Sequence, residues 1–231
     1  DWAPDYMLEY VLDILKKNNA CFFLTNESSS QRKLLQSNHE LGYHFNLSNN
    51  SSQGKTFEES YTYLNKFIRK ELILNRFHLL NHSYSDLEKL RNIGVKLDSS
   101  ILMLNQPHIL PAYLEDVDLI RIPYFWEDGT YLKTGKSLNN IEMNIEDPGC
   151  KIFDFHPIDI YFNTYSLKHR NLIKSLNKSV FDIPKATSEK LINRTNTGIG
   201  DVFRELLSYI SIKNIKIFSL TDANSLVREN L

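Results

Sequence analysis

The sequence is short of the features that mark membrane-spanning, disulfide-rich and nucleic-acid-binding proteins. Its 231 residues include only two cysteines, Cys21 and Cys150, which form neither a disulfide framework nor a metal-binding spacing. No run of about 18 apolar residues occurs, so we expect no transmembrane segment. The formal net charge is -1, which gives no electrostatic reason to expect nucleic acid or an anionic membrane as a partner. These absences favour a reducing compartment, and we expect a cytoplasmic protein.

The beginning of the chain and its composition set the expected domain organisation. Residues 1–6 lack the basic and apolar segments of a signal peptide, although a chain without an initiator Met can have lost its true start. With 42% hydrophobic and 24% charged residues, the chain can bury a sizeable core. We find no internal repeat, low-complexity tract or domain boundary, and we expect one domain over residues 1–231. The sequence does not indicate the oligomeric state.

Helix-like and strand-like segments alternate along almost the whole chain. Apolar residues at helical spacing from Met7 to Leu15 predict a helix that Pro4 and Asp5 open, and the apolar run Ala20–Leu24 predicts a buried parallel strand. The same patterns predict strands at 72–77, 95–97, 119–122, 151–155 and 215–220, helices at 30–37, 56–68, 83–93, 167–177 and 200–210, and a long loop at 133–149. Repeated strand–helix units favour a parallel sheet covered by helices, but their periodicity does not decide whether the sheet closes into a barrel.

Polar side chains collect where the predicted strands end, which is where parallel α/β folds place their chemistry. His39 and His44 flank a glycine, and the other polar residues near strand ends are Asp1, Arg76, His78, Arg121, Trp126, Glu127, Asp128, Asp154 and His156. Imidazoles and carboxylates are the ligands of a catalytic Zn²⁺ or a similar divalent ion. Amide hydrolysis also needs a general base and a general acid, and this set of residues contains candidates for each part.

Each of these residues also has a structural interpretation. His39 can be a turn residue bonded to its own backbone, while Tyr124 and Trp126 are either core aromatics or stacking surfaces for a sugar ring. Asp154 stands between two phenylalanines, so its side chain points to the other face of its strand. Three further histidines in helix-start or loop contexts are expected at the surface: His82, His108 and His169.

Several segments resemble the NodB-like polysaccharide deacetylases. That family shows an Asp-rich motif, a Thr-Phe-Phe-type strand and a His-Glu-Ile-Gly-Asn-His-type turn in this order, and the matching segments here are residues 1–4, 20–25 and 39–44. The segments RIPYFWED (121–128) and FDFHP (153–157) are similar to a narrower branch, the WbmS-like deacetylases of surface-polysaccharide or lipopolysaccharide biosynthesis. Residues 196–198 and 203–207 also resemble that branch, so the resemblance runs over nearly the whole chain.

The resemblance implies an α/β fold of the distorted (β/α)7-barrel type and a hydrolase that removes the acetyl group from an N-acetylated sugar. It also implies a divalent metal ion, which we expect to be Zn²⁺, held by one Asp and two His. The expected ligands in this chain are Asp1, His44 and His78. We expect an N-acetylated sugar or glycan as the substrate and no nucleic acid as a partner.

The family pattern also implies roles for the other strand-end residues. His156 matches the general acid, which Asp154 or Asp128 would orient. Arg76, with Arg121 as the alternative, matches the arginine that pairs with the basic aspartate. The residues expected to line the sugar site are Tyr124, Trp126 and Arg121.

Two departures from the family pattern affect the expected metal site. Ser48 stands four residues after His44, where the family has its second histidine ligand, and serine binds Zn²⁺ poorly. We expect His78 to replace that ligand, with His39 as the alternative. The first motif has a single acidic residue, Asp1, so the sequence begins inside this motif, and Asp1 is either a ligand, which we prefer, or the general base.

The sequence therefore supports two classes of function. The leading hypothesis is metal-dependent N-deacetylation of a sugar in surface-polysaccharide or lipopolysaccharide biosynthesis. The alternative is a deacetylase-like protein that has lost catalysis and binds a glycan or a biosynthetic partner, which Ser48 and the incomplete first motif motivate. A hydrolase that acts on another amide is a third possibility.

Overall fold

The computed structural model describes residues 2–15, 18–139, 143–176 and 179–230. Strands and helices alternate along these residues. The strands are β1 Cys21–Leu24, β2 Glu40–Tyr43, β3 Leu74–Asn75, β4 Leu97–Asp98, β5 Ala112–Leu114, β6 Leu119–Arg121, β7 Trp126–Glu127 and β8 Phe153–Asp154. The helices are α1 Asp5–Leu15, α2 Ser29–Leu34, α3 Phe57–Ile68, α4 Tyr84–Asn92, α5 Asp128–Lys133, α6 Pro157–Phe162, α7 Leu167–Ser175, α8 Lys185–Ser188, α9 Ile199–Ile212 and α10 Leu220–Arg228.

The main sheet has six strands in the order β1-β2-β3-β4-β6-β5. The neighbours from β1 to β6 are parallel, and β5 adds an antiparallel edge. Leu24, Leu74, Leu97 and Ile120 in these strands are each at most 1% exposed. Burial on both faces of a parallel sheet explains why these strands are apolar runs rather than alternating patterns.

A second, two-stranded parallel sheet joins β7 to β8 with Trp126 opposite Phe153 and Glu127 opposite Asp154. An isolated parallel bridge between Leu102 and Tyr124 connects the end of β4 to the segment that leads into β7. Among the described residues, no hydrogen-bonded strand pair joins β8 back to β1. The parallel α/β class is therefore confirmed, whereas closure into a barrel stays a prediction.

The helices begin where their capping residues and apolar spacing predict. Met7, Leu8, Val11 and Leu15 form the buried face of α1. The backbone N–H of Glu59 donates to the Thr56 hydroxyl at 3.2 Å and fixes the start of α3. In the part of the chain that the structure describes, no helix is both long and apolar enough to cross a bilayer.

One predicted strand is wrong, and several short elements were not predicted. Residues 215–220 form no strand, since Ile217 and Phe218 are 45% and 52% exposed and have no apolar face to bury against a sheet. Instead α10 begins at Leu220, whose N–H donates to the Glu40 carboxylate at 2.6 Å. The elements that sequence patterns missed are β2, β5, β7, α5, α6 and α8, each of six residues or fewer. Elements of this length are too short to show a periodic pattern.

Candidate active site

His44 and His78 lie side by side beyond the carboxyl ends of β2 and β3. Their backbone N–H groups continue the parallel ladder, His44 donating to the carbonyl of Leu24 at 3.2 Å and His78 to that of Phe45 at 2.8 Å. The centroids of the two imidazole rings are 5.4 Å apart at an interplanar angle of 75°. Two imidazoles that bind one tetrahedral zinc ion through bonds of about 2.1 Å have centroids roughly 5 Å apart. The spacing of these rings therefore fits a shared divalent cation.

Burial keeps both imidazoles in the form that binds metal. Burial lowers the pKa of His44 well below its usual value, and the side chain is 6% exposed. Burial also lowers the pKa of His78 to about 4. Neutral imidazole is the ligating form, so the chemistry of this donor pair fits a divalent cation at neutral pH. Asp1, the expected third ligand, lies outside the described residues.

His39, the alternative ligand, lies at the other end of β2. Its Nδ1 is 3.4 Å from the backbone nitrogen of Ala20, and its ring contacts Phe22 with a centroid distance of 5.1 Å. The five residue steps from His39 to His44 along an extended strand correspond to about 16 Å. We therefore leave His39 out of the proposed ligand set.

Buried Arg76 and partly buried Asp154 form an ion pair between the ends of β3 and β8. Arg76 Nη1 lies 2.7 Å from Asp154 Oδ1, while Arg76 Nε donates to the carbonyl of Ser99 at 3.0 Å. The guanidinium lies between the rings of Phe23 and Tyr124, at 4.8 and 4.4 Å from their centroids. Burial opposes the charge on Asp154, but the nearby positive charges, first Arg76 and then His156, together lower the pKa of this carboxyl below its usual value. Asp154 is therefore ionised and fixed in place.

His156 and Asp128 form a hydrogen-bonded dyad at the start of α6. His156 Nδ1 lies 2.5 Å from Asp128 Oδ1, and the His156 backbone N–H donates to Asp128 Oδ2 at 2.6 Å. Burial opposes the charged imidazole, but the charge and hydrogen bond of Asp128, together with the charge of Asp154, raise the pKa of His156 above its usual value. Of the two aspartates that the sequence offered as partners of His156, Asp128 is the one that orients the imidazole, whereas Asp154 pairs with Arg76.

Glu127, Asp128 and His156 also form a group whose ligand atoms all lie within 4.8 Å of one another. In this group His156 Nδ1 and Asp128 Oδ1 are already hydrogen-bonded to each other at 2.5 Å. The Glu127 carboxylate accepts a hydrogen bond from the Thr130 hydroxyl at 2.5 Å. The hydrogen bond between Asp128 and His156 is that of a dyad, and the same three side chains also offer ligand atoms that could hold a metal ion.

The residues expected to line a sugar site are instead buried or held by protein groups. Trp126 is 0% and Tyr124 is 2% exposed, which leaves no ring face for a sugar, so the core interpretation is the correct one in this structure. Trp126 packs against Tyr131 and Phe155 at centroid distances of 5.5 and 5.0 Å. The expectation that these two rings stack on a sugar is not supported, because the packing of β7 against its neighbours covers both.

Asp98 is the centre of a polar cluster that the sequence analysis missed. Its Oδ1 accepts hydrogen bonds from Asn75 Nδ2 at 2.8 Å and Ser100 Oγ at 2.6 Å, and its Oδ2 accepts from Arg121 Nε at 3.1 Å. Arg121 Nη2 also lies 3.0 Å from His82 Nε2. Arg121 thus binds Asp98 rather than standing open to a sugar. The signal was present, since Asp98 directly follows the predicted strand at residues 95–97.

Of the three histidines that were expected at the surface, His169 is buried, His82 is partly buried and His108 is exposed. The His82 ring stacks on Phe77 with a centroid distance of 4.9 Å and an interplanar angle of 11°. His169 is 7% exposed, and its Nε2 lies 3.0 Å from the carbonyl oxygen of Leu191. His108 is exposed, as expected. Helix-start positions such as that of His169 can face either the core or solvent, and the sequence context does not distinguish them.

This fold is that of polysaccharide deacetylases. The chain belongs to the WbmS-like polysaccharide deacetylase family, whose model matches residues 1–174. This confirms the resemblance found in the sequence. No curated protein matches the chain.

Two solved structures are similar in fold. One is WbmS from Bordetella bronchiseptica, a candidate polysaccharide deacetylase involved in O-antigen biosynthesis, with a TM-score of 0.77 and 22% identity over 90% of this chain and 87% of that chain. The other is a candidate polysaccharide deacetylase from Mycobacterium smegmatis, with a TM-score of 0.54 and 14% identity over 97% of this chain and 77% of that chain. At these identities the likeness establishes the α/β fold of polysaccharide deacetylases.

Proposed function

We propose that this protein hydrolyses the acetamide group of an N-acetylated sugar in a metal-dependent reaction. The observation that supports this most directly is the pairing of two neutral imidazoles, one buried and one partly buried, with a separate protonatable imidazole. His44 and His78 offer nitrogen ligands, while His156 is paired with Asp128 in the manner of a general acid. A site of this kind has what amide hydrolysis needs, a place for a Lewis acid and a proton donor.

The proposed metal ligands are His44, His78 and Asp1. When bound there, a divalent cation, which we propose to be Zn²⁺, would polarise the acetyl carbonyl and make a water molecule more acidic. The imidazoles of His44 and His78 are kept neutral by burial and so are ready to bind without losing a proton first.

His156 is the proposed proton donor to the departing amine. The Asp128 carboxylate raises the pKa of His156, so the protonated imidazole persists closer to neutral pH than an ordinary histidine would. The hydrogen bond at 2.5 Å uses Nδ1, and we assign proton donation to Nε2. Asp128 thereby fixes both the orientation and the tautomer of the acid.

A carboxylate must accept the proton of the attacking water. The resemblance offers Asp1 as ligand or base, and among the described residues Asp154 is the ionised carboxylate that interacts electrostatically with both His44 and His156. Arg76 holds Asp154 at 2.7 Å and keeps it ionised at neutral pH, which is the state in which a carboxylate can accept a proton. The Arg76–Asp154 pair would therefore supply an ionised carboxylate near His44 and His156 for this reaction.

For the substrate class we propose an N-acetylated sugar of surface-polysaccharide or lipopolysaccharide biosynthesis. The similar WbmS structure belongs to a protein described as involved in O-antigen biosynthesis. The charge of -1 on this chain offers no general attraction to nucleic acid. A second candidate function, glycan binding without catalysis, is favoured only by Ser48 at the position of the family's second histidine ligand.

The test combines metal analysis with an assay of acetate release. Purified protein is incubated with Zn²⁺, washed, and analysed for bound zinc, then supplied with N-acetylated sugars. We expect His44→Ala and His78→Ala to lose zinc and acetate release, whereas His39→Ala, at the far end of β2, keeps zinc. Zinc retained by both His44→Ala and His78→Ala would refute the ligand set. If the wild-type protein binds N-acetylated glycan but releases no acetate, the binding-only function is correct.

A further inference from the structure

A buried arginine–aspartate pair lies directly behind the dyad of Asp128 and His156. Arg170 Nη2, on α7, lies 2.8 Å from Asp159 Oδ2, on α6, and 4.0 Å from Asp128 Oδ1. Asp128 is 0%, Asp159 is 1% and Arg170 is 8% exposed. Two buried carboxylates therefore share one guanidinium, and the guanidinium is closer to the carboxylate that does not touch His156.

Both carboxylate oxygens of Asp128 already bond to other groups. Its Oδ1 accepts from Gly129 N at 2.5 Å and lies at hydrogen-bond distance from His156 Nδ1, and its Oδ2 accepts from His156 N. A guanidinium that moved onto Asp128 would compete with His156 for the same oxygen. The attraction between opposite charges in a buried site is strong, so something must hold Arg170 back.

The glycine at position 129 leaves the space that the Arg170 guanidinium occupies. A Cβ atom on Gly129 would lie 1.8 Å from Arg170 Nη1, so residue 129 has no room for any side chain while the guanidinium is there. Burial and the neighbouring Asp128 carboxylate raise the pKa of Asp159, which shows that the two acids interact electrostatically. Arg170 offsets part of that repulsion.

We infer that Asp159 is a positioning residue that holds the Arg170 guanidinium away from Asp128, so that the Asp128 carboxylate stays bonded to His156. This inference rests on the proposed function, in which the dyad of Asp128 and His156 donates a proton. Asp159 acts through Arg170 and Asp128 and does not touch the substrate. Without the charge of Asp159, the carboxylate that remains near Arg170 among the described residues is that of Asp128.

The test is a charge-balanced pair of substitutions. In Asp159→Asn the unopposed Arg170 should move onto Asp128, and kcat should fall about tenfold or more, as when a general acid is misplaced, with KM within about twofold of wild type. In Asp159→Asn/Arg170→Gln the competing charge is gone, and kcat should return to within about threefold of wild type, because a neutral pair can replace a buried ion pair. In an Asp128→Asn background, adding Asp159→Asn should have no further effect on kcat. If Asp159 has only a structural role, kcat of Asp159→Asn/Arg170→Gln should be no higher than kcat of Asp159→Asn.

A readout that does not need activity separates this inference from the proposed function. The short hydrogen bond between His156 Nδ1 and Asp128 should give a far-downfield imidazole proton in the NMR spectrum, which Asp159→Asn should lose and the double variant should regain. If wild type releases no acetate, the proposed function fails, and this spectrum alone decides the positioning role. A resonance that persists in Asp159→Asn, or one that is missing in the double variant, overturns the inference. If Asp159→Asn does not fold, the double variant must still fold and show the resonance, and its absence there counts against the inference.

Discussion

Replacing Asp128 with asparagine tests how the proposed acid keeps its proton. The substitution preserves the size of the side chain but removes the negative charge that accepts hydrogen bonds from His156 and Gly129 at 2.5 to 2.6 Å. Burial, which lowers the pKa of His156, would then act without the opposing effect of Asp128. We expect the protonated imidazole to be lost at a lower pH than in the wild-type protein.

The magnitude follows from the charge-assisted hydrogen bond that the acid loses. Such a bond contributes about 1.5–3 kcal/mol, which corresponds to about a 10- to 150-fold decrease in kcat when it acts in the transition state. The role of His156 as proton donor fixes the direction in which the pH–rate profile should shift. Proton donation is complete below the pKa of His156 and falls as pH rises through it, so the basic limb of the pH–rate profile should shift to lower pH in Asp128→Asn.

The contribution of His156 to the free energy of unfolding should also fall as pH rises. Because the folded pKa of His156 is raised, its contribution to the free energy of unfolding is fully present below the unfolded value of about 6.5 and is lost as pH rises through the folded value. The assay is acetate release between pH 5 and pH 9 with denaturant unfolding at the same pH values, and His108→Ala, an exposed histidine, is the matched control. A basic limb that does not move in Asp128→Asn would refute the role assigned to the dyad.

Three further predictions concern the surroundings of the site. Gly129→Ala should reduce the free energy of unfolding by about 1–3 kcal/mol, as measured by urea denaturation, because the new Cβ would lie 1.8 Å from Arg170 Nη1. Arg76→Met should destabilise the protein by about 3 kcal/mol at pH 7, because it leaves Asp154 without its partner. That difference should shrink below about pH 4, since the lowered pKa of Asp154 contributes stability above the unfolded value that is lost as pH falls through the folded value.

Two control variants separate these effects from general sensitivity to substitution. Gly135 has no atom within 4 Å of an added Cβ, so Gly135→Ala should show only the backbone cost of its φ of +68°. Lys89 forms an exposed pair with Glu58, and Lys89→Met should change stability little, because exposed ion pairs are screened by solvent. An equal decrease in the free energy of unfolding in Arg76→Met and Lys89→Met would contradict the importance of burial at Arg76.

Long periodic elements could be predicted from the sequence, whereas short ones could not. The apolar spacing of α1 and the capping residue Thr56 of α3 predicted both helices within a residue or two. The two-residue strand β7 has no pattern of its own and exists because Trp126 pairs with Phe153. The run at residues 215–220 shows the converse, since β-forming residues with no surface to bury against stay out of the sheet.

The residues of the site were predicted better than their partners. His44 and His78 were expected together and are together, but the choice between Asp128 and Asp154 as the partner of His156 stayed open. The structure decides it, because the pairing of β7 with β8 brings the residues after both strands together, and both Asp128 oxygens bond to His156. Strand register and side-chain burial depend on how the sheet packs. For the same reason, the sequence did not decide whether Trp126 is exposed.

Anomalous diffraction at the zinc edge, from crystals of the protein soaked with Zn²⁺, tests the central claim most directly. The account predicts one strong peak within about 2.1 Å of an imidazole nitrogen of both His44 and His78. A peak bound instead by Glu127, Asp128 and His156, or no ordered zinc at all, would contradict it.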